Sequence, residues 1–212
     1  MRKRKKLKIV EVIKEHIINN SKEYTIVTLL FIIGIFLGVL FVNNIQEAQR
    51  VEISSYFNNF TEKLKQTEQL DQAQLLKTSV GSNIMLAIII WFFGTTVIGI
   101  PVVFGIVLYR GFCLGYTVSV CISIMGLSKG LTFILLSLLL QNIILIPAIL
   151  ALAVSGFKLY KSIIKDREKE NIKIEIVRHT LFSLIMLIVL VISSLIEILI
   201  STNLLKVLIK YF

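Results

Sequence analysis

The chain has few of the residues on which small secreted domains and metalloenzymes depend. Its 212 residues include only two cysteines, two histidines and one tryptophan. Cys113 and Cys121 lie in one apolar stretch, which excludes a disulfide framework, and they are interpreted as small packing residues. His16 and His179 fall in separate basic segments. The sequence therefore predicts no metal site, because imidazole and thiolate ligands are not clustered.

Catalytic signatures are also missing. The sequence contains no G-x-x-x-x-G-K-[ST], no H-E-x-x-H and no G-x-S-x-G. The one large loop, Asn43–Asn83, carries acidic residues without histidine or cysteine, and it is too short to enclose a sugar cleft between two carboxylates. We therefore expect a protein that is not an enzyme and that binds no cofactor.

Charge is scarce and unevenly placed. Charged residues make up 17% of the chain, against about 25% in soluble domains, and 56% of the residues are hydrophobic. Between Lys77 and Lys158, only Arg110 and Lys129 carry charge. The net charge of +10 does not indicate nucleic-acid binding, because the basic residues flank apolar runs, where anionic membrane lipid attracts them.

The apolar runs predict an all-α fold, a polytopic membrane helix bundle. A bilayer core of about 30 Å needs roughly 20 apolar residues in a helix, which satisfies its own backbone polar groups. The five predicted spans are Thr25–Val42, Ile84–Tyr109, Gly111–Leu127, Leu131–Ser155 and Thr180–Leu205. The predicted segments are 1–24, basic and amphipathic; 25–42, the first span; 43–83, an extracytoplasmic loop; 84–155, a three-helix block; 156–179, a basic cytoplasmic loop; and 180–212, the last span and tail.

The distribution of lysine and arginine predicts a cytoplasmic N-terminus. The inside segments are then Met1–Tyr24, the turn at Arg110 and Gly156–His179; the outside segments are Asn43–Asn83, the turn at Lys129 and Lys206–Phe212. Sixteen basic residues lie inside and seven outside, which is the positive-inside bias. The C-terminus lies outside if the fifth span, which Glu197 interrupts, crosses completely, and inside if that span lies in the interface.

The outer loop contains the candidate partner-contact residues. Ile53, Phe57, Phe60 and Leu64 follow one another at i, i+4, i+7 and i+11, which places them on one face of a helix. That face could dock on the protein's own helices, on lipid or on a partner. The basic segment 1–24 has helical apolar spacing typical of a helix that lies on an anionic membrane surface.

Small and polar residues within the spans indicate how the helices pack. The candidate packing and kink residues are Gly34, Gly38, Gly94, Gly99, Pro101, Gly111, Gly115 and Pro147; the candidate intramembrane polar residues are Arg110, Gln141, Asn142 and Glu197. Glycines let helices approach closely in lipid, and prolines kink or break them. The same features also occur at transporter midplane sites. A small-solute transporter or channel, a membrane subunit of an ATP-driven complex, and a homo-oligomer therefore remain open alternatives.

An ordered set of residues resembles the stage II sporulation protein M family of integral membrane proteins. The residues are Ser82–Ile84, Trp91–Gly94, Gly99–Pro101, Arg110–Phe112, Gly115–Thr117, Gln141-Asn142 and Pro147-Ala148. The resemblance implies a multi-pass protein on the mother-cell side of the sporulation septum, acting in endospore engulfment. It further implies a non-enzymatic scaffold for two peptidoglycan-degrading enzymes, the stage II sporulation proteins D and P.

Overall fold

The computed structural model describes residues 17–66, 72–137, 139–164 and 172–198, and these ranges contain helices and no strand. The helices are α1 (Ser21–Asn44), α2 (Glu47–Gln66), α3 (Gln72–Gly94), α4 (Ile100–Met125), α5 (Leu127–Ser137), α6 (Leu139–Ile164) and α7 (Ile172–Ile196). Most of the predicted basic segment, the tail after residue 198 and the side chains of Phe60, Leu64 and Gln141 lie outside the described residues.

Five of these helices are long and apolar enough to cross a membrane: α1, α3, α4, α6 and α7. The prediction of a polytopic helical bundle is therefore confirmed. The α6 helix lies at the centre, because 56% of its apolar window is buried, against 22–28% in the other four. Its Leu152 is fully buried, as are Val27 of α1, Ile90 of α3, Val103 of α4 and Leu190 of α7.

The break between the second and third spans lies at Thr95–Gly99, so the predicted turn at Arg110 is wrong. The hydroxyls of Thr95 and Thr96 donate to the carbonyls of Phe92 and Phe93, at 2.6 and 3.0 Å, and so satisfy acceptors at the end of α3. Pro101 stands in the first turn of α4, where its missing N–H costs no helical hydrogen bond. Arg110 consequently lies inside α4.

The predicted fourth span is divided between α5 and α6. The α4 helix ends at Gly126, whose φ of 79° is accessible to glycine, and whose N–H donates to the carbonyl of Ile122 at 3.0 Å. The short α5 then turns the chain, and α6 continues to Ile164, well beyond the predicted end at Ser155. Pro147 lies inside α6, so the helix does not break there.

These changes leave the crossing order intact. With α1 running outward, α3 runs inward, α4 outward, α6 inward and α7 outward, and α2 and α5 lie on the predicted outer side. Arg110 no longer belongs to an inside turn, which leaves fifteen basic residues inside against seven outside. The positive-inside bias persists, and the orientation stays a prediction.

The closest helix contact joins α1 to α4. A Cβ added at Gly34 would overlap the carbonyl oxygen of Leu108, and one at Gly111 would overlap that of Phe31. One turn further on, Gly38 meets Phe112 and Gly115 meets Ile35 in the same way. The residue numbers rise together along both helices, so the two helices are parallel. The glycine pairs predicted to pack helices are thus brought together, backbone against backbone.

Replacing a glycine at this crossing should destabilise the bundle. In Gly111→Ala the added methyl group meets backbone, which cannot rotate aside, so we expect the free energy of unfolding to fall by about 1–3 kcal/mol. The matched control is Gly105→Ala in the same helix, because a Cβ there has no neighbour within 4 Å. Far-UV circular dichroism during titration with sodium dodecyl sulfate measures the free energy of unfolding of each variant. Equal unfolding curves would contradict the glycine contact.

Candidate functional site

Arg110 is the one charged residue of α4, a helix of 26 residues, and it lies near the middle of that helix. Residues before and after it are apolar, and its guanidinium cannot lose its charge. A charged side chain at that depth in a membrane is costly, and it commonly faces a bundle interior or cavity. Its position makes Arg110 the first candidate for function.

Arg110 lines a partly open cavity of about 160 Å³, here called the arginine cavity. The other lining residues come from three helices: Phe31 of α1; Cys113, Leu114 and Thr117 of α4; and Asn142, Leu145, Ile146, Ile149 and Leu150 of α6. Two predicted intramembrane polar residues, Arg110 and Asn142, are therefore brought to one site. Apolar side chains make up most of the remaining wall.

The described carboxylates of α1 and α7 are engaged elsewhere. Glu23 of α1 pairs with Lys161 of α6, with 2.6 Å between carboxylate and ammonium. Glu175 pairs with Arg178 within α7. These are the two ion pairs among the described residues, and neither includes Arg110. The Glu23–Lys161 pair ties α1 to α6 at the predicted cytoplasmic end of the bundle.

A second polar set, here called the polar seam, joins α3 to α7. The hydroxyl of Ser79 donates to the carboxylate of Glu197. One turn along, the buried amide of Asn83 donates to the hydroxyl of Ser194 at 2.7 Å. The Trp91 indole N–H donates to the hydroxyl of Thr180 at 3.2 Å. Residue numbers fall along α7 as they rise along α3, so these helices are antiparallel.

His179 extends the polar seam toward α6. Its side chain is buried, with Nδ1 2.9 Å from the Ser155 hydroxyl and Nε2 3.4 Å from the Trp91 carbonyl oxygen. The ring lies where Gly94 and Gly156 bring α3 and α6 together, since a Cβ added at Gly94 would lie 3.0 Å from Nε2. The predicted placement of His179 in a cytoplasmic loop is wrong, because α7 begins at Ile172.

The outer helix α2 contains the predicted partner-contact face. Phe57 contacts Phe133 of α5 edge-to-face, with 5.9 Å between ring centroids, and it packs on a small core of Cys121, Phe133 and Ile134. Ile53, one turn earlier, is half-buried. Val51 and Tyr56 lie on other faces and are 61% and 79% exposed. The predicted face therefore docks on the protein's own helices at Phe57, which leaves other faces of α2 accessible.

The remaining predicted residues pack helices together or lie in the polar seam. Gly94 packs against α6, and Gly99 and Pro101 form the start of α4. Glu197 lies in the polar seam rather than beside Arg110 and Asn142. Within the described ranges, no group of three or more histidine, cysteine, aspartate and glutamate residues could hold a metal ion.

The match to known families covers these helices. The stage II sporulation protein M family matches residues 27–202. The chain belongs to the stage II sporulation protein M family. The match extends from the first turns of α1 past the end of α7, so it includes the arginine cavity and the polar seam. This is therefore a sporulation protein with a multi-pass membrane architecture. No curated protein and no solved structure matches the chain.

Sequence reasoning missed most of the polar seam. The sequence places Asn83 at the end of the outer loop, Ser155 at the end of the fourth span and His179 at the end of the cytoplasmic loop. A usable signal was present in the serines of the last span, Ser183, Ser193 and Ser194, which are buried on one side of α7. Polar side chains in an apolar helix need partners on a neighbouring helix, and Asn83 is one such partner.

The contact between Asn83 and Ser194 should couple α3 to α7 energetically. In a double-mutant cycle with Asn83→Ala and Ser194→Ala, we expect a coupling free energy of about 0.6–2 kcal/mol, the range for hydrogen bonds between membrane helices. Unfolding in sodium dodecyl sulfate provides the four free energies. The same cycle with Ser82→Ala, at an exposed neighbouring position, should give no coupling. Equal coupling in both cycles would contradict the contact.

Proposed function

We propose that the protein is a non-enzymatic membrane scaffold of endospore engulfment. It holds the peptidoglycan-degrading stage II sporulation proteins D and P on the mother-cell side of the septum and at the engulfing membrane. Membership of the stage II sporulation protein M family and the bundle of five apolar helices support a sporulation membrane protein. The scaffold role and the two partners are the step that we add.

The observation that carries the proposal is the placement of α2. Phe57 packs on the small core of α4 and α5, which places the middle of α2 against the bundle at this residue. Tyr56 and Val51 are left exposed on it. A largely exposed tyrosine beside a residue that contacts the bundle suits a protein contact, because tyrosine supplies much contact area at low entropic cost.

The predicted orientation directs α2 to the side where peptidoglycan lies. A partner with its catalytic domain on that side and an anchor in the same membrane can contact α2 and the spanning helices at once. Two simultaneous contacts raise the effective affinity without requiring a large single interface. In this proposal the protein determines where the enzymes are located in the membrane and takes no part in the reaction that they catalyse.

The described polar groups do not favour a transporter. Glu197 contacts α3 at Ser79, whereas Arg110 and Asn142 face the arginine cavity between α1, α4 and α6. These groups belong to two separate sites. Reconstituted protein that transports a solute into liposomes, and loses that flux in Glu197→Ala, would reverse this interpretation.

Removing the exposed contact residues should disperse the partner enzymes. We expect fluorescent fusions of the D and P proteins to concentrate at the septum in wild-type sporulating cells and to spread around the membrane when this protein is deleted. Val51→Ala combined with Tyr56→Ala should reproduce the dispersal in part, because both side chains are lost from α2 while Phe57 stays in place. Fluorescence microscopy during engulfment measures the septal fraction.

The matched control is Phe36→Leu, which changes a large side chain of α1 that is also highly exposed but lies within a spanning helix. It should leave the septal fraction unchanged. Western blots of membranes must show equal amounts of all variants. Continued septal concentration of both enzymes in the deletion strain would refute the scaffold.

A further inference from the structure

The depth of Arg110 limits what can neutralise it. The residue follows the first residue of α4 by ten positions and precedes the last by fifteen. At 1.5 Å per residue these separations are about 15 Å and about 22 Å. Lipid phosphates lie at the surfaces of a hydrocarbon core that is about 30 Å thick. The backbone of Arg110 is thus deeper than the headgroup region on either side.

A permanent positive charge at that depth requires a partner. The described carboxylates of α1 and α7 are engaged at Lys161, at Arg178 and at Ser79, and none of them lines the arginine cavity. Other wall residues are apolar or carry neutral polar groups, such as Thr117, whose hydroxyl already donates to the Cys113 carbonyl at 2.8 Å. None of the described residues supplies an anion to Arg110, so charge complementarity favours an anion carried by another molecule.

The volume and the depth of the cavity also limit the size of that anion and the kind of molecule that bears it. The cavity volume of about 160 Å³ far exceeds the roughly 10–15 Å³ that a cavity needs to hold one water molecule, so it accommodates a carboxylate. We consider an anionic side chain on a partner polypeptide. A single polypeptide segment in the middle of a bilayer has to be a helix, because only a helix satisfies its own backbone hydrogen bonds there. Arg110 presents planar donors that match a carboxylate in geometry.

We infer that the arginine cavity is a docking site for a transmembrane helix of a partner protein that carries an aspartate or glutamate near the middle of its apolar stretch. The carboxylate pairs with Arg110, and the partner helix lies along the cavity mouth bordered by α1 and α6. The inference rests on the proposed scaffold function in that it assigns one spanning helix of a partner to a place on the bundle. The inference predicts that the site selects partner helices that carry a negative charge at the depth of Arg110.

Model peptides in vesicles test the inference without any sporulation enzyme. The probe is a leucine-alanine helix of about 20 residues with one central glutamate and a coumarin acceptor. The full chain is reconstituted in phosphatidylcholine, and its single tryptophan, Trp91, serves as the fluorescence donor. We expect energy transfer to the glutamate peptide to exceed that to the matched glutamine peptide, with affinities that differ by about threefold to thirtyfold.

Substitutions at Arg110 test whether the glutamate peptide binds at the arginine cavity. Arg110→Leu should abolish the preference for glutamate over glutamine, and Arg110→Lys should keep part of it because the charge remains. Lys129→Leu removes the only other charge between Lys77 and Lys158 and should leave the preference intact. Circular dichroism checks that each variant is folded, and the lysine variant keeps the test decisive if the leucine variant is not.

Two results would overturn the inference. One is equal transfer to the glutamate and glutamine peptides with the wild-type protein. The other is loss of the glutamate preference when one third of the lipid is phosphatidylglycerol, accompanied by retention of that lipid by wild-type protein and not by Arg110→Leu, which would identify a lipid phosphate as the occupant. Because the assay contains no sporulation enzyme, its failure leaves the localisation experiment unaffected, and dispersal of the enzymes can be scored independently.

Discussion

The backbone contact between α1 and α4 is the constraint on which the rest of the bundle depends. In lipid the hydrophobic effect does not draw helices together, so close packing has to supply the attraction. Gly34, Gly38, Gly111 and Gly115 let the two backbones meet with no side chain between them. This contact fixes α1 beside α4, and the end of α1 that is predicted to face the cytoplasm is then tied to α6 by the ion pair between Glu23 and Lys161.

The remaining helices are positioned by polar contacts rather than by glycine alone. The polar seam holds α7 against α3 through Ser79, Asn83 and Trp91, and His179 links α7 to α6. Each hydrogen bond pairs a polar group that would otherwise be unsatisfied in an apolar environment. Arg110 is different, because no ion pair among the described residues includes it. The bundle is therefore internally satisfied on the α3–α7 flank and open to an external anion on the flank formed by α1, α4 and α6.

The fold class followed from the sequence because long apolar runs have one solution in a bilayer. The helix boundaries did not follow, for a physical reason at each place. Thr95–Gly99 contains no charge, so the break was hidden in an apolar run, and the turn was assigned to Arg110 because an arginine is costly inside a membrane. The structure keeps Arg110 inside α4 and gives it a cavity. Lys129 lies inside α5, and the break after α4 is at Gly126, three residues before the turn that the sequence predicts.

The candidate site was predictable in its residue types but not in its pairings. The glycine pairs were identified as packing residues, and their partners became known only when α1 and α4 were placed side by side. Arg110 and Asn142 were both identified as intramembrane polar residues. They are 32 positions apart in the sequence, and they line one cavity because α6 lies against α4. The helical face of α2 was identified by spacing, while its anchor, Phe133, belongs to a helix that the sequence placed in a span. Long-range contacts of this kind depend on tertiary packing and leave little local signal.

Site-specific photocrosslinking from Tyr56 tests the central claim, that α2 is presented to partner enzymes on the outer side of the membrane. A photoreactive amino acid at this exposed position is activated in intact sporulating cells, and the crosslinked products are identified by mass spectrometry. We expect crosslinks to a peptidoglycan-degrading enzyme during engulfment. Crosslinks to cytoplasmic proteins, or to lipid and this chain alone, would contradict it.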